Sequence, residues 1–546
     1  MVFLTTLLFS VFITIGLIPI LSRLALKINL IDVPDGRKVH ATPMPRSGGI
    51  AIAIGALVPI LFWTYKENFL MWYIISIVII GISGLIDDLR GHGPWTKFLA
   101  QIIAALVIIF PGDLRIENLG MLLPDGLLLP AWISIPLTLI TIVGVTNAIN
   151  LSDGLDGLAG GICLLSFSCL AYIAYLSGNH FVAIFSVAIA GAIFGFLRFN
   201  TYPASIFMGD TGSQFLGFSL IVLSLKLTQS ETPLTPLLPL IILGFPILDT
   251  ITVMAQRYQE GRPLFRADMN HFHHRLIRLG FFQTESVFII YLIQAGLVIA
   301  AFLFRFHSEW FILIGYLIFS GFILTVFTIA DKKGFRLQRV SIVDKLIKGR
   351  LKELRDRGII IKVSFRIIEF GIPLLLIFSS FIPKHIPNYA SYTALILVGI
   401  LVLFLSIFKK YLGFVLRIIL YIYIPYLIYI GNSASSSLIP ENLLKYYNIS
   451  FFLFAIFIVL TIKFSRRRHG FKSTPMDFLI LFIALIVPNL PIEEIESYHI
   501  GLIAAKIITL FFSYEVLMGE LRENFRKLAL FTILSLVIFG VRGMGY

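Results

Sequence analysis

Charge is what this chain has least of. Only 14% of its 546 residues are Asp, Glu, Lys or Arg, against 58% hydrophobic, and mean hydropathy is +0.92. So few polar groups cannot cover a soluble protein of this length, so the composition predicts an all-α polytopic membrane protein. Cysteine is scarce too. Cys163 and Cys169 share one apolar run, which excludes a disulfide framework or thiolate metal site and fits two small buried side chains. No positive residue precedes the first apolar run, so an uncleaved first span over 2–26 is expected rather than a secretory signal. Acidic residues are the rarer charge, 30 against 44 Lys and Arg, for a net +14. In a membrane chain that excess sets topology first and attracts anionic lipid or substrate second; no nucleic acid partner is expected.

Apolar runs of spanning length fall near 2–26, 48–65, 69–86, 97–111, 131–149, 157–176, 181–198, 213–229, 236–255, 286–304 and 310–330. They predict about eleven transmembrane helices in a core over 1–330, since lipid accepts only helices or closed barrels. With the N-terminus outside, the loops 27–47, 87–97, 199–212 and 256–285 share one side. Among Lys and Arg of the core only Lys66, Arg115, Lys226 and Arg305 fall on the other, which makes the first side cytoplasmic. Residues 331–366 follow with twelve basic and four acidic residues, expected as a basic cytoplasmic segment lying against anionic headgroups of membrane lipids. About seven more runs, near 367–383, 391–408, 411–431, 450–463, 477–489, 500–517 and 528–541, make a C-terminal transmembrane extension over 367–546. It has no comparable Asp, Asn and His clusters, and its function is not legible.

The polar residues of the core gather where spans end on the cytoplasmic side. At the centre, NAINLSDGLDGLAGG spaces Asn147, Asn150, Asp153 and Asp156 three residues apart, so neighbours share a face if the helix continues. The interleaved glycines permit sharp turns and close backbone approach. Carboxylates at a membrane edge are costly and mark function. GLIDDLRGHGPWTKFLAQ sets Asp87 beside Asp88, ahead of Lys97 and Gln101. Adjacent carboxylates repel unless a cation lies beside them, and Mg²⁺ commonly takes one or two carboxylates plus substrate phosphate. FNTYPASIFMGDTGS places Asp210 between Gly209 and Gly212, for a metal or phosphate role or a plain Asx-type turn. The loop from Asp32 to Gly49 mixes Arg37, Lys38, His40 and Arg46, either to gather donors around phosphate or merely to set topology. The stretch Pro246–Gly280 carries Asp249, then Arg257, Arg262 and Arg266, then His271, His273 and His274. The histidines suit a transition metal or phosphate; with five carboxylates available for Mg²⁺, phosphate is preferred.

The motifs IDDLRG, NAINLSDGLDGLAGG, FMGDTGS, PILDT and HFHHRL together resemble the polyprenyl-phosphate N-acetylhexosamine-1-phosphate transferases of glycosyltransferase family 4, relatives of the bacterial phospho-N-acetylmuramoyl-pentapeptide transferase. The resemblance covers about residues 1–330. HFHHRL, with Phe272 inside the triplet, resembles the branch that uses UDP-N-acetylglucosamine or a related UDP-sugar; the muramoyl-pentapeptide branch carries three consecutive histidines. The resemblance implies that undecaprenyl phosphate attacks the β-phosphorus of a UDP-N-acetylhexosamine and releases UMP. That would be the first step of a cell-envelope polysaccharide pathway such as O-antigen, teichoic acid or capsule, at the cytoplasmic face of a bacterial inner (plasma) membrane. Relatives suggest a homodimer.

Roles follow from the resemblance position by position. It implies Asp87, Asp88, Asp153 and Asp156 as catalytic carboxylates, and Asp210, Asp153 and Asp88 as ligands of Mg²⁺, or of Mn²⁺ in its place. It implies substrate binding by Lys38, His40, Lys97, Asn147, Asn150, Phe207, Asp249, Arg262, Arg266, His271, His273 and His274. The second pKa of a phosphate monoester is about 6, so the acceptor is already mostly deprotonated at neutral pH and positioning outranks general base catalysis. The same chemistry with a phospho-MurNAc-pentapeptide or UDP-GalNAc donor stays open. From another class, so does a lipid-linked-sugar transporter, although transporters keep their polar residues near the bilayer midplane. Family members end near residue 330, so the resemblance is silent on the extension.

Overall fold

The computed structural model describes residues 2–32, 43–64, 68–91, 93–124, 127–263, 270–333, 359–432, 440–464, 500–521 and 525–544. The chain divides near residue 338 into two compact units. In the first, α1 (Val2–Lys27), α2 (Gly48–Thr64), α3 (Asn68–Arg90), α4 (Pro94–Ile109), α5 (Ala131–Leu151), α6 (Leu158–Leu176), α7 (His180–Asn200) and α8 (Gly209–Thr228) follow in order. Then come α9 (Leu238–Ile242), α10 (Gly244–Gln259), α11 (Phe272–Arg278), α12 (Gln283–Leu303) and α13 (Glu309–Lys332). Among the described residues the sheet is a single two-residue pair, Ile31–Asp32 against Met44–Pro45. Among the described residues ten helices are long and apolar enough to cross a membrane, and α2 and α4 hold shorter apolar stretches. The protein is thus an all-α, multi-pass membrane protein.

Each of the eleven apolar runs of the core meets helix, but the ninth is not continuous. Residues 236–255 form α9 and α10 with a break at Leu243. The cause is local. Pro246 has no N–H, and its ring would clash with the carbonyl four residues earlier, that of Ile242. Such a carbonyl cannot stay unpaired in lipid. It accepts from Ser166 Oγ at 3.0 Å and from Gln294 Nε2 at 2.7 Å, while Tyr316 Oη donates to Gly244 O at 2.8 Å.

Helix α8 is buried along nearly its whole length, with α3 and α5 against it. Small residues allow this approach. A Cβ on Gly217 would lie 2.9 Å from the Cα of Thr146 on α5. Consequently the first turn of α8 is pinned between the last turns of α3 and α5.

In the second unit, helices Ile359–Ser379, Asn388–Ser406, Leu412–Asn432, Glu441–Phe464, Ile500–Leu521 and Arg526–Met544 match the expected runs except 477–489. That run, and the basic segment over 334–358, lie outside the described residues. An apolar core that includes Ile372, Leu376, Leu416, Ile424 and Leu536 holds this unit. A buried hydroxyl cluster of Ser380, Tyr423 and Ser535 crosses it.

Candidate active site

The site begins with Asp88 at the end of α3. Its Oδ1 accepts from the backbone N of Asp210 at 2.9 Å, and its Oδ2 from the N and Oγ1 of Thr211 at 3.1 and 2.9 Å. These are donors that the start of α8 leaves without intrahelical partners, and a negative charge there also meets the positive end of the helix dipole. Gly209, at φ 68°, lets the chain turn into α8. Arg46 pairs with Asp32 and approaches Asp88 to 3.9 Å. Its own segment is laced to the residues before Asp210, because Phe207 N donates to Pro45 O and Gly48 N donates to Phe207 O at 2.8 and 2.9 Å.

Asp87 meets α4 instead. Lys97 Nζ lies 2.7 Å from Asp87 Oδ2 and 2.8 Å from Asp210 Oδ2. One ammonium therefore bridges carboxylates of α3 and α8. Four residues further along both α4 and α8, Gln101 Nε2 donates to Gln214 Oε1 at 3.1 Å, so the two helices are joined by two rungs.

The central motif does not continue as a helix. Helix α5 stops at Leu151, and Ser152–Gly157 form an irregular turn closed by Gly157 at φ 79°. The expected face therefore ends at Asn150, and other contacts bring Asp153 and Asp156 into place. Asn200 Oδ1 accepts from Gly157 N at 3.1 Å while its Nδ2 donates to Ile206 O at 2.8 Å. Tyr291 Oη donates to Gly157 O at 2.6 Å, Ala204 N donates to Asp156 Oδ2 at 2.9 Å, and Ser213 Oγ donates to Asn150 Oδ1 at 2.7 Å. Asn147 lies one turn earlier on α5, partly buried. Burial, reinforced by Asp210, Asp88 and Asp156, pushes the Asp153 carboxyl up to about 7, against a smaller opposite pull from Arg46.

Asn200, Tyr291 and Gln214 were not singled out from the sequence. Each acts through a partner more than 40 residues away, and a lone Asn, Tyr or Gln carries no local pattern. Asn200→Ala leaves a buried N–H and a buried carbonyl without partners, at about 1–3 kcal/mol each. We expect at least tenfold loss of activity and faster thermal inactivation in detergent. Asn200→Asp, which keeps the acceptor, should fall between Ala and the parent in both measurements.

The histidines arrive from α11. Asp249 Oδ2 lies 2.9 Å from His271 Nδ1, and Asp249 Oδ1 accepts from Phe272 N at 2.8 Å. A carboxylate only accepts, so His271 carries its proton on Nδ1 and presents Nε2. The His271 and His273 rings are nearly parallel, 5.9 Å apart, and His274 follows 4.1 Å from His273. His273 packs against Gly154, where any Cβ would strike its ring. This contact joins HFHHRL to the Asp153–Asp156 turn. His273 Nε2 is buried with no hydrogen-bond partner. Burial, then His274 and His271, lower its imidazole to about 3, so it is neutral at pH 7. Arg262 is exposed and turned to Glu260 at 3.1 Å, so it is not drawn into the cluster. Lys38, His40 and Arg266 lie outside the described residues.

Among the described residues no three His, Cys, Asp or Glu side chains converge as a ready metal-ligand set. Asp88 is turned to the α8 backbone, and an ammonium stands between Asp87 and Asp210. The donors nonetheless suit Mg²⁺ or Mn²⁺ in kind, being carboxylate oxygens. The Lys97 ammonium occupies the space between the Asp87 and Asp210 carboxylates.

The profile of glycosyl transferase family 4 matches residues 69–228, from the start of α3 to the end of α8, and so takes in all five carboxylates of the cluster. Over 338 residues the chain is 37% identical to a probable undecaprenyl-phosphate N-acetylglucosaminyl 1-phosphate transferase of Bacillus subtilis (strain 168), covering 61% of this chain and 93% of that protein. It is 30% identical over 342 residues to an undecaprenyl-phosphate alpha-N-acetylglucosaminyl 1-phosphate transferase of Salmonella typhimurium, covering 61% and 91%. A decaprenyl-phosphate N-acetylglucosaminephosphotransferase of Mycobacterium leprae is 33% identical over 314 residues, covering 51% and 76%. With the acidic cluster inside the matched stretch and nine-tenths of the Bacillus protein aligned, the chain belongs to glycosyl transferase family 4 and is a sugar-1-phosphate transferase enzyme.

Proposed function

We propose that this enzyme transfers N-acetylhexosamine 1-phosphate, with N-acetylglucosamine the favoured sugar, from a UDP-sugar to undecaprenyl phosphate and releases UMP. The observation that carries this reading is the convergence of Asp87, Lys97, Asp153, Asp210 and the His271–His274 group at one end of the helix bundle. There a lipid phosphate and a water-borne nucleotide can meet. The relatives, named as undecaprenyl-phosphate N-acetylglucosaminyl 1-phosphate transferases, support the acceptor and the sugar.

In the proposed reaction a phosphate oxygen of the acceptor forms a bond to the β-phosphorus of the nucleotide sugar. The bond from that phosphorus to the bridging oxygen breaks, and the electron pair leaves with UMP. The chief obstacle is bringing two phosphate-bearing anions together. Lys97 offers positive charge to the acceptor phosphate. His271, fixed by Asp249, and His273, held over Gly154, face the diphosphate. Asn147, Asn150 and Asp156 orient the nucleotide. Asp87, Asp210 and Asp153 would hold Mg²⁺ or Mn²⁺, which supplies Lewis-acid stabilisation of the leaving phosphate when bound. The basic loops favour a site on the cytoplasmic face of the inner (plasma) membrane, with the product entering a cell-envelope polysaccharide.

Purified protein given undecaprenyl phosphate, Mg²⁺ and, in turn, UDP-N-acetylglucosamine, UDP-N-acetylgalactosamine and UDP-MurNAc-pentapeptide tests the donor. UMP release fastest with the first supports the reading. Preference for another donor keeps the chemistry and replaces the sugar, and no release with any donor overturns it. The Bacillus relative covers 61% of this chain. A chain ending at residue 338, produced in membranes, is expected to keep transfer within about threefold of the full chain if the second unit serves a task other than the chemistry.

A further inference from the structure

We propose that Lys97 is a displaceable internal counter-ion. It fills the acidic site until a divalent cation binds, and the displaced ammonium then receives the phosphate of the lipid acceptor. This rests on the transferase reading and on the fit of the carboxylates to a divalent cation.

The geometry points to displacement rather than coexistence. The ammonium contacts Asp87 Oδ2 and Asp210 Oδ2 at 2.7 and 2.8 Å. A divalent cation held by Asp87 and Asp210 would need those same oxygens, and two cations on the same oxygens repel strongly. Two of the other carboxylates, Asp88 and Asp156, offer less. Asp88 accepts three hydrogen bonds from Asp210 and Thr211, and Asp156 accepts one from Ala204 N. Breaking those contacts would disturb the start of α8 or the linker before it. The Lys97 contact, by contrast, is made by a flexible four-carbon stem, and its side chain is 22% exposed, at the rim of the site.

A second observation shows why the ammonium can leave without the helices parting. Gln101 and Gln214, 2% and 0% exposed, hold α4 to α8 one turn below through a neutral hydrogen bond. The spacing of the two helices therefore does not hang on the ion pair. Lys97 belongs to the first turn of α4, so the released ammonium would stay within reach of the carboxylates it left. It is then free to pair with an incoming phosphate, so the cation binds before the acceptor.

The test uses the full chain in nanodiscs, with Mn²⁺ as the probe. Mn²⁺ binding is followed by electron paramagnetic resonance, and acetylation of Lys97 is followed by mass spectrometry with Lys226 as internal reference. Displacement predicts that saturating Mn²⁺ raises Lys97 acetylation at least fivefold relative to Lys226. It also predicts that Lys97→Met and Lys97→Gln each bind Mn²⁺ at least fivefold more tightly than the parent. Bound Mn²⁺ with unchanged Lys97 acetylation overturns the displacement and leaves the cation site standing. Absence of Mn²⁺ binding in parent and variants alike overturns the cation site, and the displacement with it.

Discussion

Asp210→Asn should lower sugar-phosphate transfer about a hundredfold to a thousandfold while leaving the protein folded. The side chain of Asp210 meets Lys97, and its neighbours at the site include Asp87, Asp88 and Asp153. In phosphoryl transfer, positioning and charge stabilisation do most of the work, and a central electrostatic group is commonly worth about 10²–10³ in rate, or about 3–4 kcal/mol. Asn retains an oxygen that can accept from Lys97 but loses the negative charge that would hold a cation. The start of α8 should survive, because Asp88 holds the backbone N of residue 210 and not its side chain. Initial rates with labelled donor, beside gel filtration in detergent, separate the two effects. A folded variant that keeps more than a tenth of the parent rate would remove Asp210 from the centre of the site.

The second large effect is expected at Asp249. Its carboxylate fixes the protonated nitrogen of His271 and also accepts from Phe272 N, at 2.9 and 2.8 Å. An Asn there can place its NH₂ against Nδ1, which favours the opposite tautomer and turns the N–H of His271 towards the site. Asp249→Asn should therefore cost about a hundredfold in kcat. His271→Ala should cost at least as much, and the double variant should fall no further than His271→Ala, since members of one unit are not additive. A double variant that multiplies the two losses would mean that Asp249 and His271 serve separate tasks.

Much of this was legible in the sequence, for reasons that differ by residue. Apolar runs reveal spanning helices because a helix buried in lipid must be apolar over its full length. The acidic and histidine residues stood out because charge at a membrane edge is rare. Three features were hidden. The break at Leu243 follows from Pro246, but hydropathy averages across it. The turn at Ser152–Gly157 replaced an expected helical stripe, because Asn200 on α7, Tyr291 on α12 and Ala204 in the linker before α8 capture it. The double duty of the Asp pair was also hidden, with Asp88 securing α8 and Asp87 meeting Lys97. Adjacent residues on a helix point about 100° apart, yet nothing local says which partner each will find.

The most direct test of phosphoryl transfer follows both halves of the donor at once. UDP-N-acetylglucosamine labelled with ³²P at the β-phosphate and with ³H in the sugar would be incubated with the purified enzyme, undecaprenyl phosphate and Mg²⁺. Phosphoryl transfer predicts that both labels enter the lipid phase in equal amounts, with UMP as the nucleotide product. Tritium in the lipid without phosphorus, accompanied by UDP, would show transfer of the sugar alone and would contradict the proposed reaction.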